Sequence, residues 1–164
     1  MKRRLSTCLV LALVMAVPSF AQAEFVARVL TVHEGDRLTI HHQGRKDMVY
    51  LRDVDCPELK QPYGKQAKHA TAAYIANREV VVRDLKQDRQ GRLVADILLE
   101  DGRNIAHELV KEGLAWVQTG PVRDQALKDL EELAKASKTG LWSEPNPTPP
   151  WRWKATKSAR HTQR

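Results

Sequence analysis

Apolar and polar positions trade places along the first half of the chain in short runs. Phe25 to His33 is β-rich, with Val26, Val29, Leu30 and Val32. Arg37-Leu38-Thr39-Ile40-His41 alternates polar and apolar, the period-2 signature of a half-buried strand. Met48 to Val54 predicts a third strand, with Val49, Leu51 and Asp53 on one face and Tyr50 and Arg52 on the other. Glu34-Gly35-Asp36 and Gln43 to Asp47 supply the turns between them, so these strands form a meander. Pro57 and Pro62 then frame an irregular loop. The period next changes to that of a helix over Lys65 to Asn77, carried by Ala67, Ala70, Ala73, Tyr74 and Ile75. Glu79 to Leu85 and Leu93 to Leu99 predict two more strands around the turn Asp88 to Arg92. Asn104 is suited to cap a helix that turns Ile105, Leu109 and Val110 inward and stops at Gly113. Ala126, Leu127, Leu130, Leu133 and Ala134 form the stripe of a last helix over about Arg123 to Lys138.

The order βββ-α-ββ-α-α predicts the α+β class. Periodicity alone supports a small α+β domain. Five strands with a helix between the third and fourth is also the order of a five-stranded OB-fold Greek-key β-barrel, here with about three helices. The full length of 164 residues allows one core without metal or disulfide staples. Lys2, Arg3 and Arg4 precede an apolar stretch from Leu9 to Val17 and then Ala21-Gln22-Ala23, so residues 1–23 are expected to be a signal peptide and the protein to be exported to the periplasm or beyond. Residues 24–143 are the expected domain. Residues 144–164, with four prolines between Glu144 and Pro150, are expected to be a basic, largely disordered tail, with Trp151 and Trp153 docking back on the barrel. The net charge of +7 shrinks under this division. The leader carries three of the cations and residues 152–164 five more, with no acid in either, so Glu24 to Trp151 has a charge of −1. Composition therefore does not mark the domain as nucleic-acid-binding, and any such affinity must come from a local patch or the tail. Removal of the leader also leaves Cys56 as a lone thiol, expected to be a packing residue.

The acidic residues suggest chemistry. Asp36 opens the second strand and Asp55 ends the third, and an antiparallel return brings the start of one beside the end of the next. Close carboxylates repel unless a hard cation or a shared proton lies between them. Oxygen ligands of this kind suit Ca²⁺ or Mg²⁺, with the Cys56 carbonyl, left free by Pro57, and waters completing the shell. Glu58 could then activate a water. Arg89 and Arg92 share a turn and suit a phosphodiester. Each of these residues also has a plain reading, as a turn or surface residue. His33, His41 and His42 do not make a metal site, because alternation sends strand neighbours to opposite faces.

Val54-Asp55-Cys56-Pro57-Glu58, Gln61-Pro62-Tyr63-Gly64-Lys65, Asp88-Arg89-Gln90-Gly91-Arg92, Asp101-Gly102-Arg103-Asn104 and Gly140-Leu141-Trp142 together resemble the thermonuclease (staphylococcal nuclease-like) family, in its secreted bacterial form. The likeness runs over about Phe25 to Trp153. It implies an OB-fold barrel and Ca²⁺-dependent hydrolysis of DNA or RNA; once the leader is removed, the protein is expected to be a monomer with no membrane partner. It also implies roles: Asp36, Asp55 and the Cys56 carbonyl as metal ligands, Glu58 as general base, Arg92 on the reacting phosphate and Arg89 on a terminal one. Where the family has a phosphate-clamping arginine this chain has Tyr50, and Gln90 and Gln118-Thr119-Gly120-Pro121 stand where the family has base-contacting tyrosines. Arg52, two residues beyond Tyr50, is the expected substitute for that arginine, and Arg37 points into the same neighbourhood. The alternative function is an impaired OB-fold module that binds nucleic acid or another ligand without turnover.

Overall fold

A computed structural model describes residues 24–120 and 124–155, so the expected leader lies outside the described residues. Strands β1 (Glu24–Glu34), β2 (Arg37–His42), β3 (Arg45–Leu51), β5 (Glu79–Gln87) and β6 (Leu93–Leu98) close into a barrel in the order β1-β2-β3-β6-β5. Closure is possible because β1 is long and irregular. Its first half pairs with β5, its second half with β2, and bulges between Val29 and Thr31 and between Val32 and Glu34 coil it from one partner to the other. The seam between β3 and β6 is the parallel one. The expected α+β class and five-stranded barrel are thus the observed ones.

Alternation fills the interior. Val29, Leu38, Ile40, Val49, Leu51, Val80, Val82 and Ile97 are all essentially inaccessible. Helix α1 (Gly64–Ile75) adds Ala67, Thr71 and Ile75 to this core, and α2 (Ile105–Lys111) adds Ile105 and Leu109. Asn104 caps α2 as expected, its side-chain oxygen accepting from the Ala106 N–H at 2.9 Å. Helix α3 (Gln125–Ala136) packs chiefly on α2, and a short 3₁₀ turn follows at Gly140–Ser143.

Two differences from the expected layout bear on the site. The third strand does not run to Val54. It ends at Leu51, the chain turns through Asp53 at φ 59°, and Val54–Asp55 form a separate strand, β4. Its partner is β7 (Trp116–Val117), in the register Val54↔Val117 and Asp55↔Trp116. Residues 144–155 are not a loose tail. Pro149 and Pro150 are buried, residues 150–155 are helical, and Trp151 meets the edge of Trp116 with ring centroids 5.9 Å apart. Burial of proline and tryptophan surface outweighs the polar character of this segment. Residues 156–164 lie outside the described residues.

The loop between β4 and α1 is held by its own backbone. The Gln61 N–H donates to the Glu58 carbonyl at 2.8 Å, Gln61 Oε1 accepts from the Glu58 N–H at 3.2 Å, and the Gly64 N–H donates to the Gln61 carbonyl at 3.0 Å. Gly64 sits so close beneath this loop that a Cβ there would lie 1.9 Å from the Glu58 carbonyl oxygen. Gly64→Ala is therefore expected to cost at least about 1–3 kcal/mol, seen as a lower urea midpoint, because the loop must move to admit the methyl.

Candidate active site

The turn from β1 to β2 is pressed under α1. Thr71 Oγ1 donates to the Gly35 carbonyl at 2.6 Å, and a Cβ on Gly35 would come within 2.9 Å of both Cys56 and Ala67. This contact carries Asp36 into the interior, where it is only 8 % exposed. One of its oxygens accepts from the Cys56 N–H at 3.0 Å, and its carboxyl also meets that of Asp55. The β4–β7 pairing delivers Asp55 to that spot, aided by Gln118, whose backbone N–H donates to the Asp53 carbonyl and whose side chain donates to the Val54 carbonyl, both at 2.9 Å. Glu58 follows on the pinned loop.

Burial pushes the Asp36 carboxyl up to about 7, and the neighbouring Asp55 charge adds to the effect against the bond from Cys56. The pair therefore shares a proton or needs a cation. In the unfolded chain the same group titrates near 3.8, so between about pH 4 and 7 the folded protein holds a proton that the unfolded one has lost. Stability of the ion-free protein should fall as pH rises through that window, by about 2–4 kcal/mol from this group. Asp36→Asn should remove the fall and stabilise the ion-free protein above pH 7. Urea melts in chelator at pH 5 and 7.5 would check this, and equal pH dependence in parent and variant would refute it.

These three acids face a cavity of about 470 Å³ that also takes in Arg37, Arg92, Tyr50, Gln118, Trp151 and Lys154. Arg37 and Tyr50 are cross-strand partners in β2 and β3 and hydrogen-bond through their side chains. Arg37 also pairs with Glu34 at 3.2 Å, while its Nε is buried with no hydrogen-bond partner among the described residues. Arg92 lies over the Tyr50 ring, 5.0 Å from its centroid, and pairs with Asp88 at 2.6 Å. Two guanidiniums thus flank one phenol at the mouth of an acidic pocket.

The remaining expected residues lie elsewhere. Arg52 was expected to share a face with Tyr50 and reach back beside it, but its side chain turns away from the acidic pocket. It binds the Asp84 carbonyl and pairs with Asp96 at 3.4 Å, in a separate cavity of about 620 Å³. Arg89 is exposed at the hairpin tip and does not line the acidic pocket. Cys56 is fully buried, and burial raises its thiol well above its usual value, which makes it a packing residue and not a nucleophile. His33 binds Thr39 and His42 packs on Phe25, apart from the acids.

Among the described residues no three His, Cys, Asp or Glu side chains are arranged to hold a metal ion. A metal here would draw on two carboxylates, a backbone oxygen and water, a set of hard oxygen donors that fits Ca²⁺ or Mg²⁺ and not a soft, thiolate-seeking metal. Reasoning from the sequence alone missed Lys154. Its Nζ lies 3.3 Å from Asp55 and 3.2 Å from Glu58, and no local pattern signals a contact made 99 positions away.

The family model described as staphylococcal nuclease homologue matches residues 48–144. An uncharacterised endonuclease of Escherichia coli O157:H7 is 33 % identical over 135 residues, covering 82 % of this chain and 88 % of its own. The micrococcal nuclease of Shigella flexneri is 32 % identical over 158 residues, with 90 % of each chain covered. Protein ParB of Escherichia coli is 30 % identical over 160 residues, covering 92 % of this chain and 90 % of its own. The barrel, its acidic pocket and this breadth of likeness have one source: the chain belongs to the staphylococcal nuclease homologue family.

Proposed function

We propose that this protein is an exported, Ca²⁺-dependent nuclease that hydrolyses phosphodiester bonds of DNA, RNA or both. One observation carries the reading: a single cavity gathers two close carboxylates, a third carboxylate on a pinned loop, and two guanidiniums. Names of relatives such as micrococcal nuclease and endonuclease support the substrate class. The pattern of Lys2 to Ala23 supports export.

Asp36, Asp55 and the Cys56 carbonyl would hold the ion. When bound, Ca²⁺ supplies Lewis-acid stabilisation of charge on a phosphate oxygen. Glu58 takes the proton from a water whose oxygen bonds to phosphorus as the ester P–O bond breaks, and a solvent proton goes to the departing oxygen. Arg92 and Arg37 bind the phosphate oxygens and neutralise the charge that grows on them. Arg37 takes this part in preference to Arg52 because it lines the cavity and Arg52 does not.

The test is incubation of the mature protein with single-stranded DNA, first in Ca²⁺ and then in chelator. Cleavage that stops in chelator and returns with Ca²⁺ supports the enzyme. Binding without cleavage in Ca²⁺ would instead support a module that has kept the barrel and lost turnover.

A further inference from the structure

Lys154 stands where a cation is needed. Its ammonium touches one of the two carboxylates assigned to the ion and, on its other side, Glu58. It does not reach there by chance extension of a loose end. Trp151, three residues earlier, is seated on Trp116, which in turn meets the edge of Trp142 at 4.3 Å. The Arg152 and Trp153 N–H groups donate to the Pro149 carbonyl at 3.0 and 3.1 Å, and Gln61, the residue that brackets the Glu58 loop, donates to the Thr148 carbonyl. Trp116 is also the register partner of Asp55. The same two-stranded ladder therefore presents Asp55 on one strand and the docking platform for residues 148–155 on the other.

We propose that Lys154 is a tethered counter-ion: in the ion-free protein it holds the place of the divalent cation beside Asp55, so that ion binding and docking of the C-terminal turn oppose one another. This rests on the reading of Asp36 and Asp55 as ion ligands. A dication bound there would lie against an ammonium that cannot diffuse away, and like charges at such range repel. For the ion to bind, Lys154 must give up both carboxylates or the ion must bind less tightly. Either way the apparent ion affinity is lower than that of the acids alone. The ion also exchanges one charge for two, so loading turns the pocket more positive and leaves Lys154 free to face an arriving phosphate.

The experiment is calorimetric titration of the mature protein with calcium chloride, without nucleic acid, on the parent, Lys154→Ala and Lys154→Gln. Lys154 is half exposed, so neither substitution should disturb folding. Both variants should bind Ca²⁺ about 2–5-fold more tightly than the parent, whereas Lys111→Ala, exposed at the end of α2, should bind as the parent does. In the parent alone, Ca²⁺ should also increase quenching of tryptophan emission by acrylamide, as the turn loosens from Trp116. Equal or weaker Ca²⁺ binding in both Lys154 variants would overturn the proposal while leaving the ion site standing. Absence of Ca²⁺ binding in the parent and both variants would overturn the ion site and this proposal together.

Discussion

A Glu58→Gln variant is expected to cleave single-stranded DNA about 10²–10⁴-fold more slowly than the parent at saturating Ca²⁺, with its thermal midpoint nearly unchanged. The two halves of this expectation come from different atoms. The backbone of residue 58 does the structural work, giving its N–H to Gln61 Oε1 and accepting from the Gln61 N–H, and glutamine keeps both. The carboxylate is the only part altered. It lies 23 % exposed at the edge of the cavity, able to reach a water there, and an amide of the same shape cannot take that water's proton. The alternative part for Glu58 is to anchor Lys154 and nothing more. On that view the variant would lose an ion pair worth at most about 1 kcal/mol and would cleave at nearly the parental rate. Single-turnover rates measured beside melting curves separate the two: a slow rate in a fully folded protein identifies the base, and an undiminished rate removes Glu58 from the chemistry.

Much of this arrangement was legible in the chain because the barrel is written in short-range patterns. Leu38, Ile40, Val49, Leu51, Val80 and Val82 alternate as buried strands must, and the structure buries all of them. The Asn104 cap and the Gly113 stop delimit α2 by local chemistry alone. What was not legible depends on positive φ at residues that give no warning of it. Asp53 adopts φ 59° without being glycine, and that one turn ends β3 early and creates β4, while Arg52 is drawn to Asp84 and Asp96. Strand alternation assumed through that point put Arg52 in the wrong cavity. The β4–β7 ladder, two residues on each side, is too short to show a period, yet it places Asp55. Lys154 likewise reached the site through aromatic docking over a distance that no pattern spans. The acids themselves were legible as motif and chemistry. Their meeting depends on Gly35 admitting Cys56 and α1 at close range.

The second large effect belongs to Arg92, and it discriminates among four arginines that a sequence pattern leaves alike. Arg92→Ala should lower kcat/KM for DNA cleavage by about 10²–10³-fold, the usual loss when one preorganised group that neutralises developing charge is removed. Its guanidinium is oriented before any substrate arrives, by Asp88 below and the Tyr50 ring beside it. Arg92→Lys should recover only part of the rate, because an ammonium restores charge without the planar fork that meets two phosphate oxygens at once. Arg37→Ala should also lower the rate, since Arg37 lines the same cavity and bonds to the same phenol. Arg52→Ala should behave differently. It frees half-buried Asp96 of its partner and so should lower stability, with kcat unaffected while the protein stays folded. Arg89→Ala, at the exposed tip of the hairpin, should do little to either. The contrast between Arg37 and Arg52 is the sharpest part of the series. Both are within two positions of a residue facing the site, Asp36 and Tyr50 respectively. Strand alternation favours Arg52, while the turn at Asp53 favours Arg37. A larger loss of kcat in Arg52→Ala than in Arg37→Ala would mean that β3 continues past Leu51 in the working enzyme. The pocket as drawn, with its guanidinium pair around Tyr50, would then be wrong.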